Sequence, residues 1–161
     1  MDVEIDISEN LKKIDRDSFL GVCSTDGAYC KSVQLPSSVK KRIKKYQKLR
    51  EQIHVSLIYA IIKDDLPKYS SIKICPDVSK KAIHNNLLSL FKENKHYRAL
   101  QQNGKIRISP VGHDDCAVND YVSKLKRKKL QPTMRMTLVE LHQILSIFRH
   151  RQPIETLESE E

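Results

Sequence analysis

In the stretch KIRISPVGHDDCAVNDYV, residues 105–122, His113, Asp114 and Asp115 stand together between a strand-like run and an amphipathic segment. Two adjacent carboxylates placed there can do either of two jobs. They can cap the following helix by accepting its free backbone N–H groups. They can also offer oxygen ligands to a hard divalent cation held over a phosphate. Asp77 stands in a comparable place, just after SIKIC at residues 71–75 and Pro76. Asp77 and Asp114 both fall where the chain leaves a strand, and open α/β sheets bind ligands at the C-terminal ends of their strands. Phosphodiester hydrolysis needs an activated water, an in-line phosphate and a stabilised leaving oxygen. A pair of Mg²⁺ or Mn²⁺ ions on a carboxylate cluster supplies all three. His113 is then a candidate proton donor to the leaving group.

The charge balance points to a polyanion. Twenty-nine basic against twenty acidic residues give a net charge of +9, which favours DNA, RNA or an anionic surface as partner. The basic residues come in two runs. One holds Lys40, Lys41, Arg42, Lys44, Lys45 and Lys48, with Arg50 beyond. The other holds Lys124, Lys126, Arg127, Lys128 and Lys129. Phosphate contacts of this kind position a nucleic acid without reading its sequence. Aromatic residues are only 6% of the chain and are not interleaved as stacking platforms for single-stranded bases. No phosphate-binding glycine loop is present.

No apolar run reaches the 18 residues of a membrane span, and the acidic first residues do not read as a secretory signal. The four cysteines, at 23, 30, 75 and 116, form no CxxC pair. They read as free thiols of an intracellular protein of cytoplasm or nucleus. A metal site from Cys75, Cys116 and His113 has no zinc-type spacing behind it.

The elements that must position these groups follow from periodicity and turn signals. VEIDI, residues 3–7, alternates as a half-buried strand. SFLGVCS and AYCKSVQL make a hairpin through Asp26–Gly27. Pro36 and two serines open a long helix expected over 38–63, basic in its first half and apolar nearly all round in its second. A strand at 71–75, a helix over 79–93, a strand after Gly104 and a helix from about 114 to 128 follow. KHYRAL, residues 95–100, reads as a short strand or turn, and LQPTMRM, residues 130–136, as a linker. Thr137 and Glu140 fit a capping box for a final helix with Leu138, Leu141, Leu145 and Phe148 on one stripe. That stripe either covers the sheet or docks a protein partner. The tail over 153–161 carries four glutamates and reads as disordered. The expected organisation is an α/β domain over 1–130, a linker and C-terminal helix over 131–152, and the acidic tail.

This order, a three-strand meander followed by two αβ units with an appended helix, resembles the ribonuclease H-like superfamily of ribonucleases, junction resolvases, integrases and transposases. The resemblance implies a mixed sheet with flanking helices and a carboxylate cluster holding two magnesium ions. It places one acid on the first strand, where Asp6 lies, and one in the first helix, where Glu51 is the acid. It places another after the fourth strand, at Asp77, and one at the start of the last core helix, at Asp114 or its neighbour Asp115. Asp6, Asp77 and Asp114 are the implied metal ligands, and His113 matches a histidine that some members carry before that helix. The expected activity is metal-dependent nucleic-acid hydrolysis. The rival reading is a non-catalytic nucleic-acid-binding or assembly protein that uses the same basic surface. RNA, DNA and branched substrates are not distinguished by these residues, and neither is the oligomeric state.

Overall fold

A computed structural model describes residues 1–8, 10–110 and 116–151, without the side chains of 149–151. His113, Asp114, Asp115 and the acidic tail therefore lie outside the described residues. A six-stranded mixed sheet in the order β5-β4-β1-β2-β3-β6 forms the middle layer. Strands β1 (Asp2–Ser8), β2 (Ser18–Ser24) and β3 (Cys30–Leu35) form an antiparallel meander. β4 (Ser71–Ile74) lies parallel to β1 on its other side, and β5 (Ile106–Ile108) parallel to β4.

The helices divide between the two faces. α2 (Tyr46–Ile62) packs on β2 and β3, and α3 (Lys80–Leu90) packs on α2. α5 (Ala117–Lys126) lies on the opposite face, across β1 and β2. β1 shows why two faces are needed. Val3 and Ile5 are buried toward α2, while Glu4 and Asp6 share the other face. Gly21 lets α5 approach: a Cβ there would stand 2.7 Å from Val122 Cγ1.

Four expectations are corrected. The helix expected over 38–63 is broken into α1 (Ser37–Lys40) and α2, with Lys45 left-handed at φ 57° between them. Residues 37–50 contain no acid, so a continuous helix would stack lysines at three- and four-residue spacing with nothing to offset their repulsion. KHYRAL belongs to α4 (Lys95–Gln102), because Asn94 caps it by accepting from Tyr97 N at 2.9 Å while Tyr97 and Leu100 bury one face. The supposed linker contains β6 (Met134–Arg135), paired in parallel with β3. It is pinned there by Thr133, whose Oγ1 donates to Ser32 O at 3.0 Å. Finally, Cys23 and Cys30 are cross-strand partners joined by a disulfide, leaving Cys75 and Cys116 as the free cysteines.

α6 (Leu138–Arg151) begins at Thr137, whose hydroxyl accepts from Glu140 N at 3.2 Å as the capping signal predicts. Its stripe is used within the chain. Leu141, Ile144, Leu145 and Phe148 are buried and the helix packs on α2 and α3, so this stripe is not a free docking face. Residues 131–151 thus belong to the same sheet and core as residues 1–130. No helix among the described residues is long and apolar enough to cross a membrane.

Two buried polar groups stand out. Lys40, expected on a nucleic-acid surface, is fully buried. Its Nζ donates to Lys13 O, Arg16 O and Ser18 Oγ at 2.9, 2.7 and 2.7 Å, which stitches the β1–β2 connection to α1. Lys40→Met should lower stability by about 2–4 kcal/mol, because it strands buried acceptors. The exposed control Lys41→Met should stay within about 0.5 kcal/mol. Urea midpoints at neutral pH test this, and equal midpoints for the two variants would refute it. The other group is His54 in α2, buried with no hydrogen-bond partner for either ring nitrogen among the described residues.

Candidate active-site cleft

Asp6 and Asp77 are brought to one end of the sheet by the parallel pairing of β1 and β4. The register sets Ile5 against Ile74, and Cys75 N donates to Ile5 O at 2.9 Å just beyond. Asp6 follows Ile5, and Asp77 lies two residues past Cys75. Asp6 Oδ1 accepts from Ile7 N at 2.8 Å, and the Cys75 thiol also hydrogen-bonds the Asp6 carboxylate. Asp77 Oδ2 accepts a long bond from Leu11 N, 3.5 Å.

The electrostatics join the two acids. Burial raises the pKa of each above the ordinary 3.8 of aspartate. For Asp77 the charge of Asp6 adds to the rise, while Leu11 N–H, Arg50 and Lys12 oppose it. A half-buried carboxylate in the field of another makes a place where a cation is favoured.

Asp77 lines a cleft of about 460 Å³ together with Lys12, Lys48, Arg50 and Glu51. In a helix over 38–63, Glu51 would stand about four turns in. With α2 starting at Tyr46, it falls in the second turn, exposed on the wall of this cleft. The Tyr46 hydroxyl donates to Leu11 O at 2.7 Å, tying the loop after β1 to the start of α2. Of the predicted site residues, the structure brings Asp6, Glu51 and Asp77 to one end of the sheet.

The oxygen donors Asp6 and Asp77 are of the type that Mg²⁺ and Mn²⁺ prefer. Among the described residues, no group of three histidine, cysteine, aspartate or glutamate side chains could hold a metal ion. Lys12 is not among the expected site residues, Arg50 is read only at the end of the first basic run, and Cys75 only in a metal site with Cys116 and His113. The helical spacing of Gln47, Arg50 and Glu51 carries the signal for Arg50, but only once the helix start at Tyr46 is known. Nothing local marks Lys12 or Cys75.

The basic runs behave differently from one another. Lys41, Arg42, Lys44, Lys45 and Lys48 are exposed around the start of α2. In the second run, Lys124 is paired with Asp120 at 2.9 Å. Lys126 to Lys129 are exposed and lead toward β6, with Lys128 left-handed at φ 60° where the helix ends. Cys116, just before α5, donates its thiol to Glu4 Oε2 at 2.7 Å. No family model, no curated protein and no solved structure matches the chain.

Proposed function

We propose that the protein is a ribonuclease H-like, metal-dependent nuclease that hydrolyses phosphodiester bonds of nucleic acid at the strand ends where Asp6 stands near the cleft lined by Asp77. The observation that supports this reading is the placing of these two acids near the C-terminal ends of adjacent central parallel strands, with the charge of Asp6 acting on Asp77. The strand order supports it, since a β1–β2–β3 meander with β4 and β5 parallel to β1 is the order expected of that fold.

In this reading Asp6 and Asp77 would hold Mg²⁺ or Mn²⁺, and Asp114 or Asp115, which lie outside the described residues, would add the further ligand that the resemblance implies. The ions supply a water of lowered pKa and charge stabilisation at the phosphate. Lys12, Lys48 and Arg50 orient the phosphate backbone beside the acids, and Glu51 borders its path. His113 delivers a proton to the leaving oxygen. The test is cleavage of a panel of duplexes, RNA–DNA hybrids and branched DNAs, with and without Mg²⁺ and Mn²⁺. Melting is followed in the same buffers. If nothing is cut and melting ignores both ions, the reading falls.

A non-catalytic nucleic-acid-binding role then takes its place, favoured by the positive field of Arg50 and Lys12 on Asp77. Either role needs the first basic run. Replacing Lys41, Lys44, Lys45 and Lys48 by alanine should weaken duplex affinity about tenfold or more at low salt. Each lost phosphate contact should also lower the slope of log K against log salt by roughly 0.9. Unchanged affinity and slope in a salt titration would exclude this surface as the footprint.

A further inference from the structure

A second groove opens at the same end of the sheet as the cleft. β3 and β6 run parallel to β1 and β4, so the segments that follow all four strands gather at one end. After β3 come Pro36, Val39 and Arg42, and after β6 come Met136 and Leu138. With Arg135 these line a groove of about 230 Å³. Its floor is apolar, from Val39, Met136 and Leu138. Arg42 and Arg135 are exposed at its flanks. The turn over 41–45 runs from this groove toward the cleft, carrying Lys41, Lys44 and Lys45, and Lys48 already lines the cleft.

The two ends of this basic crescent differ in chemistry. At the cleft, cations surround carboxylates. At the groove, two guanidiniums flank a largely apolar lining that also includes Ser38 and Thr137, and the nearby acid is Asp17, held by Ser37 N and Gln34 Nε2 and in the field of Arg135. A guanidinium is planar: it stacks on a base and forks onto a phosphate, whereas a lysine ammonium offers a point charge. The volume is below the range of about 300–1,000 Å³ that encloses whole cofactors, and suits a single ring system. A base enters such a slot only when it is out of its pair. Lys45, between the two ends, is exposed and left-handed at φ 57°.

We infer that the groove between Arg42 and Arg135 seats an unpaired nucleotide flanking the cleft, with the lysines of the 41–48 segment carrying the intervening backbone. This rests on the nuclease reading for its choice of nucleic acid as partner. It adds a preference for duplexes bearing a single-stranded extension.

The test is fluorescence-anisotropy titration in EDTA, so that nothing is cut. The full chain is titrated with one labelled DNA duplex, either blunt or carrying a three-nucleotide extension at one or the other end. The parent protein should bind an extended duplex about tenfold tighter than the blunt one. Arg42→Ala with Arg135→Ala should erase that preference, read as the ratio of extended-duplex to blunt-duplex affinity, so that the general loss of phosphate contacts from Arg42 cancels between the two. Arg42→Lys with Arg135→Lys keeps the charge and should still lose most of the preference. The proposal is overturned if the parent shows no preference, if the alanine pair weakens both duplexes equally, or if the lysine pair behaves as the parent. It is also overturned if phosphatidylserine vesicles bind with the same dependence on the two arginines. Cleavage with Mg²⁺ is scored separately. Arginine-dependent preference without cleavage sinks the nuclease reading alone, and cleavage without the preference sinks this one alone.

Discussion

Asp77→Asn should abolish Mg²⁺-dependent cleavage, by a factor of about 10³ or more, while nucleic-acid binding stays equal or tightens. The asparagine keeps an oxygen for Leu11 N but carries no charge to hold a cation. It also removes negative charge beside the phosphate path. The same substitution should stabilise the metal-free protein, because Asp77 is ionised at a cost set first by its burial and further by the charge of Asp6. The sign of the pH dependence follows. Both acids have pKa values above 3.8, so the folded state binds protons more readily than the unfolded chain. Their contribution to stability is complete below 3.8 and is lost as pH rises through the raised values. Melting curves across this range, run on wild type and variant with and without Mg²⁺, give the answer. A variant that still cuts, or that melts below wild type in EDTA, contradicts the assignment of Asp77.

The second large effect belongs to His54 and has the opposite sign with pH. Burial pushes its imidazole down from 6.5 to about 4, and no partner compensates among the described residues. The unfolded chain therefore takes up a proton on this ring at a pH where the folded protein refuses it. Stability is full above pH 6.5 and is lost as pH falls toward about 4, by about 3 kcal/mol in all. His54→Leu should remove that slope. At neutral pH it should also add about 1–3 kcal/mol, because an apolar side chain of similar size replaces an unsatisfied donor and acceptor. Urea unfolding of both proteins at several pH values separates the two claims. If the leucine variant keeps the slope, another group titrates. If it is less stable at neutral pH, the ring is hydrogen-bonded after all.

Most strands were legible because their signals are local. Alternation in VEIDI, the Asp26–Gly27 turn and the run SIKIC each declare themselves within a few residues. The failures share a different cause. Nothing near Lys40 says that its ammonium meets Lys13, Arg16 and Ser18, since those acceptors arrive from a loop more than twenty residues earlier. β6 has two residues and exists because Thr133 finds Ser32 across the sheet, a partner 101 residues away. Element order places Asp6, Asp77 and Asp114 in one cluster; the β1–β4 register sets Asp6 and Asp77 at one end of the sheet, and Asp114 lies outside the described residues. Arg50 could be placed in the cleft only once the start of α2 was known.

The central position of β1 also sets a timetable. Its antiparallel side is closed as soon as residues 18–24 emerge, but its parallel partner β4 is not complete until residue 74. At about 5–20 residues per second, the nascent meander waits for a few seconds with one backbone edge of β1 unpaired. An apolar edge so exposed would recruit other chains. Asp2, Glu4 and Asp6 place three negative charges along that edge strand, on one face, throughout the wait. Charge so placed works against intermolecular strand pairing. The row of acids that ends at the cleft in the finished fold thus also guards the unfinished one during synthesis.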